Sequence, residues 1–597
     1  MSPTGARKDV KKYAYYDPKL REDAYATGDI YSKEKIDWEI PSSSTKRPYL
    51  AHVKSLSSTW PSLRLLADFM EVTTSPMRWK DIKTNEQKRN ERASRTNVTR
   101  LDYLVSGKVV PQSYKTPEAL ETALNEQTVT DKDSKRKFRV FIVEDLSRDV
   151  IELLGAHLDI EPAFFREQIF DYTWYNTRDR WVDPPRLNIV TKRQRWLQLR
   201  FTTARYFKTA ESFKQVVEEY KSFNVLRRPE DDLNNKALWD EKDAIVGLTR
   251  TRASFWLGST DGHQGGPVGV LLVDPTAKEG FPLWYGYRNW EETPSMHEKC
   301  PPRGPPRGSL YSDVIDWAQK PVAFQSQPTA DPASDDSDVH IPIQALLYIV
   351  SSEWLQMSEY IRTRLGQIEW EISFPEHFLN KGSDIDIALK KLHVWRRLVP
   401  LYREMLTETL QRVFQFPCHP TGLTSSATSL GMNRMSNNNS NDPIAVTASG
   451  GDSASSTSSR SCQCPVNDSN RTGPGPINAL RDDFARILLY MEEYQQRIDR
   501  LTSVVTAIIS IADSRRSQAD NKNVARLTWL ATFFIPLSFI ATLFSMQEDI
   551  GKLQETIKWY FAAAVPLACL SLGFTFLLAL PSVHRFGSKI ARGGNDL

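Results

Sequence analysis

The stretch Leu527-Thr-Trp-Leu-Ala-Thr-Phe-Phe-Ile-Pro-Leu-Ser-Phe-Ile-Ala-Thr-Leu-Phe-Ser-Met-Gln547 contains no Asp, Glu, Lys or Arg, and neither does Trp559–Val583. Each supplies the run of about 20 apolar residues needed to cross a hydrocarbon core of about 30 Å. The connecting segment, Glu548–Lys558, is too short to fold as a domain. The pair predicts a transmembrane hairpin with both ends on one side of a bilayer and residues 1–526 on that same side. Two helices cannot enclose a path through a membrane, so any such path requires several copies of the chain around an axis. Arg515, Arg516, Lys522 and Arg526 precede the first span, and Arg585, Lys589 and Arg592 follow the second. The loop sets Lys552 and Lys558 against Glu548, Asp549 and Glu555. This bias predicts cytoplasmic termini and an outward-facing acidic loop.

Immediately before the first span, Leu480, Phe484, Ile487, Met491, Tyr494, Ile498, Leu501, Val505 and Ile508 step by four and three, and Ala512 continues the series. A heptad seam of this length predicts a long packing helix. No Pro or Gly interrupts Asn478–Ile535, so the helix is expected to run straight into the membrane as a stalk.

Further out, 597 residues exceed the size of one hydrophobic core. Lys plus Arg number 77 against 73 Asp plus Glu, a balance that does not call for a nucleic-acid partner. Cys300, Cys418, Cys462, Cys464 and Cys569 are odd in number and scattered. No disulfide framework is expected, and the bulk of the chain suits a reducing compartment. The N-terminus lacks an apolar signal core and soon turns acidic and Tyr-rich, which speaks against secretory and mitochondrial targeting. The sequons Asn97-Val-Thr99 and Asn470-Arg-Thr472 should then stay unmodified. The plasma membrane is the expected location, with the vacuole as alternative.

Residues 1–135 read as a variable, partly disordered N-terminal region, with Arg78–Arg100 a solvated helix or disordered arm. Residues 136–340 read as an α/β domain. Phe138–Val143 is a buried strand by its β-branched and aromatic content, Asp145 or Ser147 offers an N-cap, and Pro162 suits the first turn of the next helix. Further strands are expected at Arg195–Tyr206, Arg252–Leu257 and Val268–Val273. Cys300–Gly308 is polyproline-like, read as a stiff surface loop. Residues 341–417 are helical: Leu346, Leu347, Val350, Trp354, Met357 and Ile361 recur at three and four, and a second helix runs from Asp384 to Phe414 with a bend near Pro400. Residues 418–477, rich in Ser and Asn, read as a disordered insertion. Residues 478–526 form the stalk, 527–546 the first span, 547–558 the loop, 559–583 the second span and 584–597 a basic cytoplasmic tail. No HExxH, Walker A or GxSxG pattern occurs, so no enzyme is expected.

The run Leu527–Phe544, with its F-x-P-L-x-F-I-A pattern, resembles the first membrane helix of CorA-type divalent-cation channels. The layout of stalk, span, acidic loop, span and basic tail is similar over Asn478–Arg592. Phe138–Phe165 resembles more loosely the cytoplasmic domain of fungal CorA-like proteins. The resemblance implies a CorA-like fold: an α/β cytoplasmic domain, a long helical stalk and a two-helix membrane hairpin. It also implies a homopentamer in a lipid bilayer whose first spans line the pore. Mg2+ would be the transported ion and a candidate regulatory ion, with no prosthetic group. Asp482, Asp483 and Asp499 are candidate interface carboxylates for the regulatory ion.

The sequence departs from the family at its Gly-Met-Asn signature, which is replaced by Ser545-Met546-Gln547; a literal Gly431-Met432-Asn433 falls inside the insertion. Mg2+ keeps its waters, so a filter should offer neutral carbonyls to the hydration shell. Gln547 would supply them on a stem one methylene longer than Asn and hold the metal through its hydrated ion. Ser545 lacks the positive-φ freedom of Gly. Glu548 and Asp549 follow as candidates to concentrate cations at the mouth, or as ordinary solvated loop charges. Along the first span, Asn521, Val524, Thr528, Ala531, Ile535, Ser538, Thr542 and Ser545 share a face at a period of about 3.5. On the family reading, Asn521, Thr528, Ser538 and Thr542 line the pore, and Val524, Leu527 and Ile535 form a hydrophobic gate. Helix packing explains the small residues equally well. The alternatives are a non-conducting membrane scaffold or ion sensor, and a zinc-transporting relative.

Overall fold

The computed structural model describes residues 38–41, 44–73, 85–125, 136–170, 186–227, 229–232, 240–258, 266–291, 293–297, 308–320, 339–374, 382–414, 416, 477, 480–545 and 553–579. The chain divides into two compact units, Met1–Asn380 with Asp386–Asp499, and Lys381–Ile385 with Arg500–Leu597.

The first unit is built on one sheet. Its strands are β1 (Val98–Leu104), β2 (Val109–Tyr114), β3 (Arg136–Glu144), β4 (Trp196–Phe207), β5 (Pro229–Asp231), β6 (Ile245–Leu257), β7 (Val268–Val273) and β8 (Phe281–Pro282). Their order is β2-β1-β3-β7-β6-β4-β8, with β5 on β6. Among the described residues β3 and β7 form the one parallel pair, Arg139 opposite Val268 through Glu144 opposite Val273. These two strands sit at the centre, which is why they read as apolar runs: β7 is buried at every position.

Side chains alternate between two helical layers. Phe141, Val143, Val270 and Leu272 face one layer. It includes α1 (Pro48–Leu56), α2 (Arg64–Val72), α5 (Arg148–Leu158) and α6 (Pro162–Ile169), contributing Leu50, Phe69, Leu154, Phe164 and Phe165 to one core. Ser147 caps α5 by accepting from the Val150 amide at 3.4 Å, and Pro162 occupies the first turn of α6. Over the opposite face, Tyr311 and Ala318 of α9 (Leu310–Ala318) bond Thr99 at 2.7 Å and the Tyr103 hydroxyl at 2.8 Å. α4 (Pro117–Asn125) adds Leu120 and Ala123 to the same core, α3 (Glu86–Ser94) precedes β1, and α7 (Asn188–Thr191) and α8 (Ala210–Ser222) flank β4 in the chain.

The boundary expected at residue 136 is not where this unit begins. α1–α4, β1 and β2 all precede it, and β1 is flanked by strands on both sides. The charges that made the region read as solvated are paired within the sheet. Asp102 stands opposite Arg139 in the register and accepts from its Nε at 2.6 Å and Nη2 at 3.0 Å. Within Arg78–Arg100, α3 is a docked helix rather than an arm: Arg92 is buried and donates to the carbonyls of Phe223 and Lys221.

The long helices follow. α10 (His340–Ser373) buries Leu346, Leu347, Val350, Trp354, Met357 and Ile361, the expected stripe. α11 (Gly382–Glu408) carries Pro400 in its interior and is followed by a π turn, Thr409–Val413, in which Thr409 Oγ1 donates to the Met405 carbonyl. Trp354 meets Tyr402, and Tyr360 meets Trp395, edge-on at 5.5 and 5.8 Å between ring centroids. α12 (Arg481–Ser545) is one continuous helix. Its first part, within this unit, is fixed by Phe484 against Phe414, Glu492 with Arg403 at 3.0 Å, Tyr494 with Ser358 at 3.0 Å and Arg497 with Glu369. The heptad residues Phe484, Ile487, Met491, Tyr494, Ile498, Leu501 and Val505 are buried, whereas Ile508 is half-exposed and Ile511 is 54% exposed. α13 (Leu553–Ala579) starts ahead of the apolar stretch at Trp559. Nothing in Leu553–Lys558 breaks a helix, and hydropathy marks a span rather than a helix start. Cys462, Cys464, Gly431–Asn433 and Cys300–Arg307 lie outside the described residues.

Candidate functional site

Within the second unit, α12 and α13 lie side by side. The Tyr560 hydroxyl donates to the Leu537 carbonyl at 3.2 Å, and Ser571 Oγ reaches the Thr532 carbonyl at 3.4 Å. Ile540, Ala564 and Ala568 are buried; small residues on α13 allow close approach. At about 100° per residue, Leu537 and Ile540 lie about 140–160° round α12 from Ile535, while Thr532, about 60° from Ile535, lies on the border between the two flanks. The eight positions Asn521, Val524, Thr528, Ala531, Ile535, Ser538, Thr542 and Ser545 are all exposed in the single chain. Val524, Leu527 and Ile535 are 61%, 72% and 64% exposed. Large apolar side chains left this open fit a bilayer or a further copy of the chain.

The hydroxyls on this face share one geometry. Thr528 Oγ1 donates to the Val524 carbonyl at 2.9 Å, Ser538 Oγ to Ile535 at 2.9 Å, and Thr542 Oγ1 to Ser538 at 2.7 Å. A hydroxyl has one proton and two lone pairs. With its proton returned to its own helix, each presents acceptor oxygen outward. That is what the O–H groups of a hydrated cation bind.

Charge is distributed to match. Arg515, Lys522 and Arg526 fall on the far side of the helix from Ile535, at about 140–180° round the axis. Asp513 and Ser517 continue the Ile535 face toward the N-terminal end, and Asp520 borders it. These two carboxylates escaped the sequence reading, which stopped at Asn521; extending the same period two turns further back would have found them. The roles of Tyr560 and Ser571 required knowing which flank of α12 meets α13.

Of the expected filter, Ser545 is the exposed last residue of α12. Met546, Gln547, Glu548 and Asp549 lie outside the described residues. Among the candidate regulatory carboxylates, Asp483 pairs with Arg486 at 3.0 Å and Asp499 accepts from Gln495 at 3.4 Å. Asp482, Asp483 and Asp499 are dispersed along one helix. Among the described residues no three His, Cys, Asp or Glu side chains converge as a metal site.

α12 contains an apolar window of mean hydropathy 1.6, none of it buried, long enough to cross a membrane, and Ile557–Gly573 is a shorter apolar helix. Residues 470–580 match the family model described as "CorA-like Mg2+ transporter protein". By that measure the C-terminal segment is CorA-like. The match spans the whole seam, both apolar helices and Ser545–Gln547 between them. No curated protein matches the chain. Among solved structures, one described as the complete structure of the CorA magnesium transporter from Methanocaldococcus jannaschii aligns over 80% of this chain and 96% of its own. The identity is 8% and the TM-score 0.32, a superposition too loose to carry an argument.

Proposed function

We propose that the protein is a membrane channel for divalent cations, with Mg2+ as the ion, formed by several copies of α12 around a central axis. The observation that carries this is the uncharged Thr528–Thr542 face: exposed, turned away from α13, and presenting hydroxyl acceptors. The CorA-like match over residues 470–580 favours Mg2+ as the ion, and a homopentamer is what the resemblance of this segment implies. The path would begin at Gln547, whose amide holds the hydrated ion in place of the family's Asn, with Glu548 and Asp549 concentrating cations at the mouth. It would continue past Ser545, Thr542 and Ser538. Ile535, Leu527 and Val524 would form the apolar constriction, which closes by dewetting. Thr528 would lie within this stretch, between Ile535 and Leu527, and below it Asn521, followed by Asp520 and Asp513, would give a polar exit. Both termini are placed in the cytoplasm, at the plasma membrane. Nothing in this scheme requires bond-making chemistry, so the protein is not assigned an enzymatic role.

The altered signature favours one competing reading, a CorA-like scaffold that does not conduct. Single cysteines on a cysteine-free background test the lining. Thr542→Cys and Ser538→Cys should react in proteoliposomes with a charged, membrane-impermeant thiosulfonate, and Leu530→Cys, on another face of the same exposed span, should not. Equal reactivity at all three, or none at any, would count against an aqueous path along this face.

A further inference from the structure

Pro536 lies inside α12. It has no N–H, so the Thr532 carbonyl, its partner four residues earlier, has lost its ordinary helical donor. The Thr532 side chain gives no help, because its Oγ1 donates to the Thr528 carbonyl at 2.8 Å. In a hydrocarbon environment an orphaned carbonyl is costly, and neighbouring side chains re-satisfy it. Ser571 of α13 is placed to do so. Its Oγ is 3.4 Å from the Thr532 carbonyl and 2.9 Å from the Ala568 carbonyl of its own helix. One proton faces two acceptors, held closer to Ala568 and within about half an ångström of an even share. On the other side of the proline, Tyr560 donates to the Leu537 carbonyl at 3.2 Å. The two hydroxyls of α13 therefore grip the backbone of α12 on either side of Pro536, one turn before it and one residue after it. Pro536 falls between Ile535, the last apolar residue of the proposed constriction, and Ser538, the first hydroxyl above it.

We propose that Ser571 and Tyr560 are positioning residues for the pore-lining helix. Ser571 supplies the donor that Pro536 lacks, and its proton shifts from the Ala568 carbonyl to the Thr532 carbonyl as the segment beyond Pro536 pivots. The pivot's consequence for conduction rests on the channel reading above; the bracing does not. Hydrogen–deuterium exchange of the full-length protein in lipid nanodiscs reads the bracing directly. Ser571→Ala should speed exchange across 532–545 by about threefold to tenfold, and Ser571→Thr, which keeps the hydroxyl, should restore protection. In a Pro536→Ala background the new amide bonds Thr532, so Ser571→Ala should change nothing. Unaltered exchange in Ser571→Ala, or the same increase in both backgrounds, would overturn the proposal, the second result pointing to simple packing loss. Mg2+ flux through the same variants is measured separately. Altered flux in Ser571→Ala supports the pivot. Absence of flux from every variant, with the exchange coupling intact, would overturn the channel reading and the pivot while leaving the bracing in place.

Discussion

Truncating two isoleucines of α12 to Ala should have sharply different costs. Ile498 is fully buried in the first unit, in line with Met491 and Tyr494, whereas Ile511 is 54% exposed. Removing three carbons from Ile498 forfeits about 0.8 kcal/mol of transfer energy for each. The vacated space adds a cavity term, giving about 3–4 kcal/mol in all. The same change at Ile511 removes atoms half in contact with solvent and should cost under about 1 kcal/mol. At about 2–4 °C per kcal/mol for a unit of this size, Ile498→Ala should lower the midpoint of thermal unfolding by about 6–16 °C. Ile511→Ala should shift it by a few degrees at most. The assay is fluorescence-detected unfolding of the detergent-solubilised full chain at two protein concentrations. An Ile498→Ala midpoint within about 2 °C of the unmodified protein would refute the docking of the stalk's first part. An Ile511→Ala loss as large as that at Ile498, growing on dilution, would show that another chain covers this exposed part of α12.

Two further perturbations probe the sheet and its helices. Asp274 accepts from Arg227 Nε at 2.6 Å and Nη2 at 3.1 Å, from the Arg252 amide at 2.7 Å and from Gln168 at 2.7 Å, all buried. Asp274→Ala strands the Arg227 cation and should cost about 3–5 kcal/mol, read as loss of monodisperse protein or a lower unfolding midpoint; a midpoint unchanged within error would contradict the assigned pairing. Asp68 accepts from Trp38 and Arg64 through Oδ1, while Oδ2 has no partner. Burial raises its pKa from 3.8 to about 6, against the opposing pull of Trp38 and Arg64. The folded state therefore holds this proton more tightly than the unfolded chain. The stabilisation is fully present below pH 3.8 and is lost as pH rises through about 6, a change on the order of 3 kcal/mol. Unfolding midpoints of Asp68→Asn should lack this component of the decline between pH 4 and 6, and a profile parallel to the unmodified protein would show that Asp68 titrates normally.

The parts legible in the sequence were those with one dominant period. The stripe of α10, the seam of α12 and the central strands β3 and β7 all carry a burial pattern that a single repeat describes. β1 escaped because its charge is paired across strands: Asp102 and Arg139 of β3 look solvent-facing in one dimension and are register partners in the sheet, and β2 escaped because Pro111 interrupts a short, mostly exposed edge strand. α3 escaped for a related reason, since Arg92 satisfies distant carbonyls that no local window contains. In the membrane segment, composition revealed the uncharged face but not which flank of α12 meets α13. That depends on contacts between residues such as Thr532 and Ser571, about forty positions apart, and the importance of Ser571 emerges only once Pro536 is seen to orphan a carbonyl beside it.

The central claim is that this face conducts divalent cations through a filter in which Gln547 replaces the family's Asn. The direct measurement is Mg2+ uptake into proteoliposomes holding the purified full-length protein, beside Gln547→Asn, with and without cobalt hexaammine as a mimic of hydrated Mg2+. The account predicts uptake by the unmodified protein, blocked by the mimic. Silence of the unmodified protein under an inward Mg2+ gradient would contradict it: uptake regained in Gln547→Asn would then locate the fault in the filter, and silence of both would leave the scaffold reading.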